Sequence, residues 1–437
     1  MKKIKIAYEW ISPRGPLSNN RIPNLYDLTN GLEGTIITDN KRNNAPYLFH
    51  TFFRHYPDIF ELSSVYQLKD DDLFVYDFQM HHRVSFPDFF NFGSDTGLIE
   101  SSVFSDHAIN LIRNKNGYIL LDMAVESFVS NNFFFQMHNY FKMHNIPLHK
   151  IIYMTGCPNV EELYIDFCSQ QNHGPERMKM LFWDSFEYQI SQRIQNKEVY
   201  VTKRHIDIIE KSFLCLNYRY RQHRIDLTLL FLKNDLLKDS FYSIPAGNPH
   251  HPDQLFLHNV HRNFSQNIGL TEEDLLNFQT ILPLKVDNLA NSYDNHKIMT
   301  MDANQTLSHL YEKSLISVVT ETTAYEPTIA ETEKTFKPIL YKQPFILVGQ
   351  KGSLKNLRNK GYRTFSQWFD ESYDDISDNH QRMMKIADIC KQISNWDKNT
   401  KQNFIVGTKE VVEHNYQLLK NTYGKIIPKF WKKLQEG

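Results

Sequence analysis

The run SFLCLNYRYRQHR (212–224) sets Arg219, Arg221, His223 and Arg224 just past an apolar, strand-like stretch and directly ahead of a helical pattern. In parallel α/β sheets ligands lie beyond the carboxyl ends of the strands, so such a loop aims guanidinium groups and a helix N-terminus at an anion. Guanidinium forks pair bidentately with phosphate oxygens and keep their charge at any working pH. That is the chemistry of a diphosphate site built without a metal. An ordinary solvated basic loop has the same composition, and the segment alone does not separate the two.

A second set of reactive side chains lies in VVTETTAYEPTIAETEKTFKPILYKQPFILVG (318–349), where an apolar strand ends in Glu321, a polar loop follows, and a helix opens over residues 331–334. A carboxylate in that first turn can accept both hydroxyls of a ribose, and an adjacent lysine can neutralise a phosphate. A capped helix with acids in its first turn is the plainer account of the acids, because the macrodipole favours them there. It does not account for Lys334 and Lys337.

Positioning these groups requires strands that end where the loops begin. Short β-branched or aromatic runs alternate with helical patterns along the chain, the signature of parallel α/β units. Strands are expected at 4–10, 34–38, 73–78, 118–123, 150–156 and 178–183, with helices at 101–114, 133–145 and 159–171. After a polar stretch at 189–211 the rhythm restarts, with strands at 212–217, 241–245, 315–321 and 344–349 and helices at 224–237, 306–314, 331–342 and 352–361. Residues 247–305 break that rhythm and carry one short helix at 271–278. The expected fold class is therefore α/β, with two Rossmann-like domains, the first at 1–195 and the second at 196–410. A C-terminal helix at 411–437, interrupted at Pro428, is expected to cross back and pack Phe430 and Trp431 on the first domain, since two large aromatics are costly to leave in water.

A length of 437 residues fits two to three domains. Lys plus Arg is 49 and Asp plus Glu is 50, a net charge of −1 that argues against a nucleic-acid partner. Cys157, Cys168, Cys215 and Cys390 are widely spaced and read as buried free thiols in a reducing compartment. The N-terminal MKKIKIAYEW has no apolar region of signal-peptide length, and no apolar run approaches the ~18 residues that span a bilayer. A cytoplasmic protein with at most peripheral membrane contact is expected.

The run TETTAYEPTIAETEKTFKPILYKQPFILVG resembles the donor-binding motif of the α-1,3-fucosyltransferases, in which an acidic strand end is followed by a Thr-Glu-Lys helix start and an apolar strand after a proline. FLCLNYRYRQHR is similar to their strand, Asn and Arg loop, which adds Asn217 to the set. Together the two segments resemble the glycosyltransferase-B (GT-B) architecture over roughly residues 212–365. The resemblance implies two domains facing across a cleft, with a glycan or other hydroxyl acceptor on the N-terminal domain and a nucleotide sugar on the C-terminal one. It places Glu333 on the ribose, Lys334 on the phosphates, and one or more of Arg219, Arg221 and Arg224 on the diphosphate. The sequence departs from the fucosyltransferase pattern at Lys337–Pro338 and in the continuation GQKGSLKNLRNKGYRTF. A non-catalytic nucleotide- or glycan-binding protein of the same fold is the alternative.

A transferase that inverts the anomeric centre also needs a base for the acceptor hydroxyl. The candidates are Glu9, Asp77, Asp122, Glu126 and the pair His81–His82. Glu126 is preferred because it follows a continuously apolar strand and precedes a helix. Glu9 is second, and Asp122, inside the strand, reads as an acid that orients the loop. His251, His258 and His261 raise the question of a metal, but no carboxylate or cysteine completes a known pattern beside them, so no metal or other cofactor is expected. The chain has no GxGxxG after its first strand and no P-loop, and DDD at 70–72 reads as a solvated turn.

Overall fold

The computed structural model describes residues 3–8, 10–12, 15–16, 42–43, 58–79, 106–123, 129–171, 176–195, 205–248, 251–286, 308–422 and 434. The chain divides into two compact units, Met1–Trp183 with Gly424–Gly437, and Asp184–Tyr423. The expected strand at 34–38 lies outside the described residues, as do Phe430 and Trp431 of the expected crossing helix.

The first unit holds six parallel strands, β1 (Ile4–Tyr8), β2 (Phe60–Ser64), β3 (Phe74–Gln79), β4 (Gly117–Met123), β5 (Ile151–Thr155) and β6 (Lys179–Phe182). Their order across the sheet is β2-β1-β3-β4-β5-β6. Every residue of β5 is buried, as befits a strand covered by helices on both faces. Among the helices are α1 (Asp106–Asn114), α2 (Asn131–Met143) and α3 (Val160–Gln170). Phe133 and Phe134 of α2 pack against Tyr153 of β5 in the core, the first tilted and the second edge-on. β2 was not expected from the sequence, because FELSS lacks the β-branched run that marks its neighbours.

The second unit opens with α4 (Ser185–Gln195). It then carries β7 (Lys211–Leu216), α5 (Gln222–Lys233), β8 (Ser240–Ser243), α6 (Arg262–Asn267), α7 (Glu272–Ile281), α8 (Ser308–Lys313) and β9 (Ser314–Thr320). It closes with α9 (Glu333–Leu340), β10 (Phe345–Val348), α10 (Ser353–Asn359), α11 (Asn379–Ser394) and α12 (Lys398–Lys420). The sheet is parallel in the order β8-β7-β9-β10, with Phe213 opposite Ile316 and Val318 opposite Ile346. All of β9 and β10 is buried. The α/β reading with two parallel sheets therefore holds.

α12 begins at Lys398, well ahead of the helix expected from 411. Asp397 caps it by accepting the Thr400 N–H at 2.7 Å, a start signal that Gly407 inside the helix obscures in the sequence. All four cysteines are buried thiols, as expected. Among the described residues no helix is long and apolar enough to cross a membrane.

Candidate functional site: the reversal between β7 and β9

In the order β8-β7-β9-β10 the chain leaves β7 toward one edge of the sheet and returns as β9 on its other side. Loops that diverge in this way leave a crevice at the carboxyl ends of the two strands, the position where open α/β sheets bind ligands. The two segments singled out by sequence both sit there. Asn217 follows β7 and Glu321 follows β9, and the strand ends are joined where Thr320 Oγ1 donates to Asn217 Oδ1 at 2.6 Å.

The first turn of α5 braces the loops from below. Arg224 is buried, and its guanidinium donates to the carbonyls of Arg219 at 3.1 Å, Thr320 at 3.2 Å and Glu321 at 3.2 Å. His223, also buried, has Nε2 2.9 Å from the Glu321 carbonyl. Burial, and after it the Arg224 charge, hold the imidazole well below the usual His range. The neutral ring therefore carries its proton on Nε2 and donates to that carbonyl. Burial, with the like charge of Arg221, lowers the Arg224 guanidinium to about 10, so it stays charged at neutral pH. Its Nε is buried with no hydrogen-bond partner among the described residues.

Glu321 is fully buried, and its carboxylate takes the start of α9. Oε1 accepts from the Thr332 N–H at 2.9 Å, the Thr335 N–H at 3.2 Å and the Thr335 hydroxyl at 2.6 Å. Oε2 accepts from the Thr332 hydroxyl at 2.6 Å and the Thr322 N–H at 3.1 Å. Thr332 is itself the cap of α9. With five donors on two oxygens, Glu321 anchors the helix that presents Glu333 and Lys334, and is not left open to a ligand.

Glu333 and Lys334 pair at 3.0 Å, both partly exposed. The Lys334 ammonium also donates to Thr332 Oγ1 at 2.9 Å. Burial alone would raise the Glu333 carboxyl, but Lys334 and Lys337 more than offset it and leave it below the usual range. Lys337, one turn on, is lowered to about 8, mainly by burial and against the pull of Glu333.

Arg219 and Arg221 are exposed, and neither makes an ion pair among the described residues. Asn217, Arg224 and Glu321 thus form the scaffold of the crevice. Arg219, Arg221, Glu333 and Lys334 are the groups with capacity left for a ligand. His223, Thr332 and Thr335 were not singled out as scaffold by sequence reasoning. The threonines at the helix start were the available signal.

One further charged group supports α9 from outside the crevice. The ammonium of Lys360, just past α10, lies 2.7 Å from Asp184, 2.6 Å from Glu187 and 2.9 Å from Glu331, all buried. Burial, and the neighbouring Glu187 and Glu331 charges against the pull of Lys360, raise Asp184 to about 7. Glu331 is raised as well, mainly by burial, whereas for Glu187 the Lys360 charge outweighs burial and the carboxyl is lowered.

For the acceptor base, Glu126 and Glu9 lie outside the described residues, as do His81 and His82. Asp122 lies on β4, in register between Gln79 and Met154, and Asp77 on β3 opposite Leu120.

No family model matches the chain, and no curated protein matches it. Among solved structures it is similar to an α,α-trehalose-phosphate synthase (UDP-forming) from Burkholderia vietnamiensis, with 10% identity, 85% of this chain and 74% of that one covered, and a TM-score of 0.41. It is similar to an α,α-trehalose 6-phosphate synthase from Burkholderia multivorans, with 9% identity, 84% and 72% coverage and a TM-score of 0.39. A glycosyltransferase from Rickettsia africae ESF-5 matches with 11% identity, 96% and 84% coverage and a TM-score of 0.28. Likeness of this degree transfers neither a family nor an activity.

Proposed function

We propose that the chain is a glycosyltransferase of GT-B type that moves a sugar from a nucleotide-diphosphate donor to a glycan or other hydroxyl acceptor. The observation that carries this reading is the placement of Arg219, Arg221, Glu333 and Lys334 at the β7/β9 reversal, on loops already locked by Arg224, His223 and Glu321. Arg219 and Arg221 take the diphosphate, Lys334 adds a third positive charge, and Glu333 accepts the ribose hydroxyls. Fixed positive charge at the leaving diphosphate stabilises the charge that develops as the glycosidic bond breaks, so no metal is assigned to the donor.

Charge-assisted contacts to phosphate contribute roughly 1.5–3 kcal/mol each. Arg219→Ala, Arg221→Ala and Lys334→Ala should each weaken nucleoside diphosphate binding by about tenfold or more, at unchanged melting temperature. Calorimetry of the uridine, guanosine and adenosine diphosphates, with and without EDTA, measures this. Equal affinity in all three variants would remove the site, and affinity lost in EDTA would remove the metal-free assignment.

The acceptor proton is assigned to Glu126, which follows β4, with Glu9, which follows β1, as the second candidate. Glu126→Gln should lower turnover by roughly 10²-fold at unchanged nucleotide affinity. Near-normal turnover would pass the role to Glu9, for which the same substitution is the test.

A further inference from the structure

A different cluster lies two residues beyond Arg224 on α5. The Asp226 side chain is fully buried, and its ion-pair partners among the described residues are two histidines, with no lysine or arginine. His261 Nδ1, at the cap of α6, and His380 Nε2, in the first turn of α11, each lie 3.7 Å from the same oxygen, Asp226 Oδ2. The three ligand atoms fall within 4.8 Å of one another.

At 3.7 Å neither imidazole is hydrogen-bonded to the carboxylate, since such bonds run to about 3.2 Å. Around a tetrahedral ion with bonds of about 2.0–2.1 Å, by contrast, neighbouring donor atoms stand about 3.3–3.4 Å apart. Both His–Asp separations are therefore a few tenths of an ångström from ligand spacing and too open for hydrogen bonding. The carboxylate is also held in orientation. Gln222 Nε2 donates to Oδ1 at 2.8 Å and the Tyr325 hydroxyl to Oδ2 at 2.7 Å, the outer support that a metal-ligating carboxylate usually has. Both imidazoles are about half exposed, at 47% and 43%, which leaves a path for an ion and room for water as a fourth ligand.

We propose that Asp226, His261 and His380 bind a divalent transition metal of the zinc class, tying α5, the start of α6 and the start of α11 together. Two imidazoles and one carboxylate favour zinc, cobalt or nickel over magnesium and calcium, which take oxygen ligands. The site adjoins the crevice, since Tyr325 touches both the Asp226 carboxylate and the His223 ring, but its ligands are other residues and it does not depend on the transferase reading.

The test uses the full chain, stripped with a chelator and dialysed. Cobalt(II) should bind one equivalent at micromolar concentration, with visible ligand-field absorbance. Saturating zinc should raise Tm by roughly 5 °C or more, and millimolar magnesium should not. The double variant His261→Ala/His380→Ala should lose at least 100-fold in cobalt affinity along with the zinc shift. His258→Ala, an exposed neighbour, should behave as the parent. If the double variant does not fold, His380→Asn alone should lose tenfold or more. No stoichiometric cobalt uptake by the parent, or equal uptake by the histidine variants, overturns the proposal. Nucleoside diphosphate affinity in the same variants should be unchanged, so failure here and failure of the donor site remain distinguishable.

Discussion

Lys360→Met is expected to cost the second unit about 3–5 kcal/mol, because it leaves the buried carboxylates of Asp184, Glu187 and Glu331 without their shared cation. Methionine keeps much of the side-chain volume and its contact with Phe336, over whose ring the ammonium sits at 4.9 Å, so the loss is mainly electrostatic. The sign of the pH dependence follows from the raised carboxyls. An acid whose pKa is higher in the folded chain than in the unfolded one binds more protons when folded, and stability falls as pH rises between the two values. For Asp184 that window runs from the ordinary carboxylate range up to about 7. Removing the lysine pushes these carboxyls further up. The deficit of Lys360→Met should therefore be largest near pH 8 and shrink toward pH 5. Urea unfolding at both values measures it. A loss below about 1 kcal/mol, or one that does not change with pH, would mean that the three acids are compensated from elsewhere.

Glu321→Ala should be nearly as damaging, at about 3 kcal/mol or more, and should also abolish nucleotide binding. It strands three main-chain N–H groups and two hydroxyls that now converge on one carboxylate, and buried donors without acceptors are costly. The first turn of α9 would fray, taking Glu333 and Lys334 out of position. Glu321→Gln keeps the shape and one acceptor oxygen but turns an NH2 group toward donors, so it should fall between alanine and the parent. The measurements are the urea midpoint and nucleoside diphosphate affinity on the same preparations. A variant that unfolds like the parent but fails to bind would make Glu321 a direct ligand and not an anchor.

The parallel α/β architecture was legible because the deepest strands are nearly unbroken apolar runs. IIYM, LISVV and FILV announce themselves by composition, and their ends mark where the loops begin. That suffices to place Arg219, Arg221, Glu333 and Lys334 at one edge of a sheet. It does not reveal which acid is consumed by the fold. Glu321, Glu331 and Glu333 look alike in TETTAYEPTIAETEKTF, yet the first anchors a helix, the second faces Lys360 and the third borders the crevice. That division depends on side-chain direction and on partners from other elements. Nothing in NLRNKGYRTF marks Lys360 as the shared cation of three buried carboxylates, because all three come from other segments of the chain. His261 lies beside Asp226 and His380, which come from distant elements with no shared sequence pattern.

The second unit also starts and finishes at one place. Thr422 Oγ1 donates to Glu187 Oε1 at 3.1 Å, and the Lys420 carbonyl accepts from Ser191 Oγ at 3.1 Å and Gln195 Nε2 at 2.7 Å. The helix that opens the unit is thereby stitched to the helix that closes it. In gene-rearrangement terms, residues 184–423 form a cassette. A short linker joining the stitched ends would allow the chain to be reopened at a surface loop as a circular permutant, with all four strands of the sheet left intact.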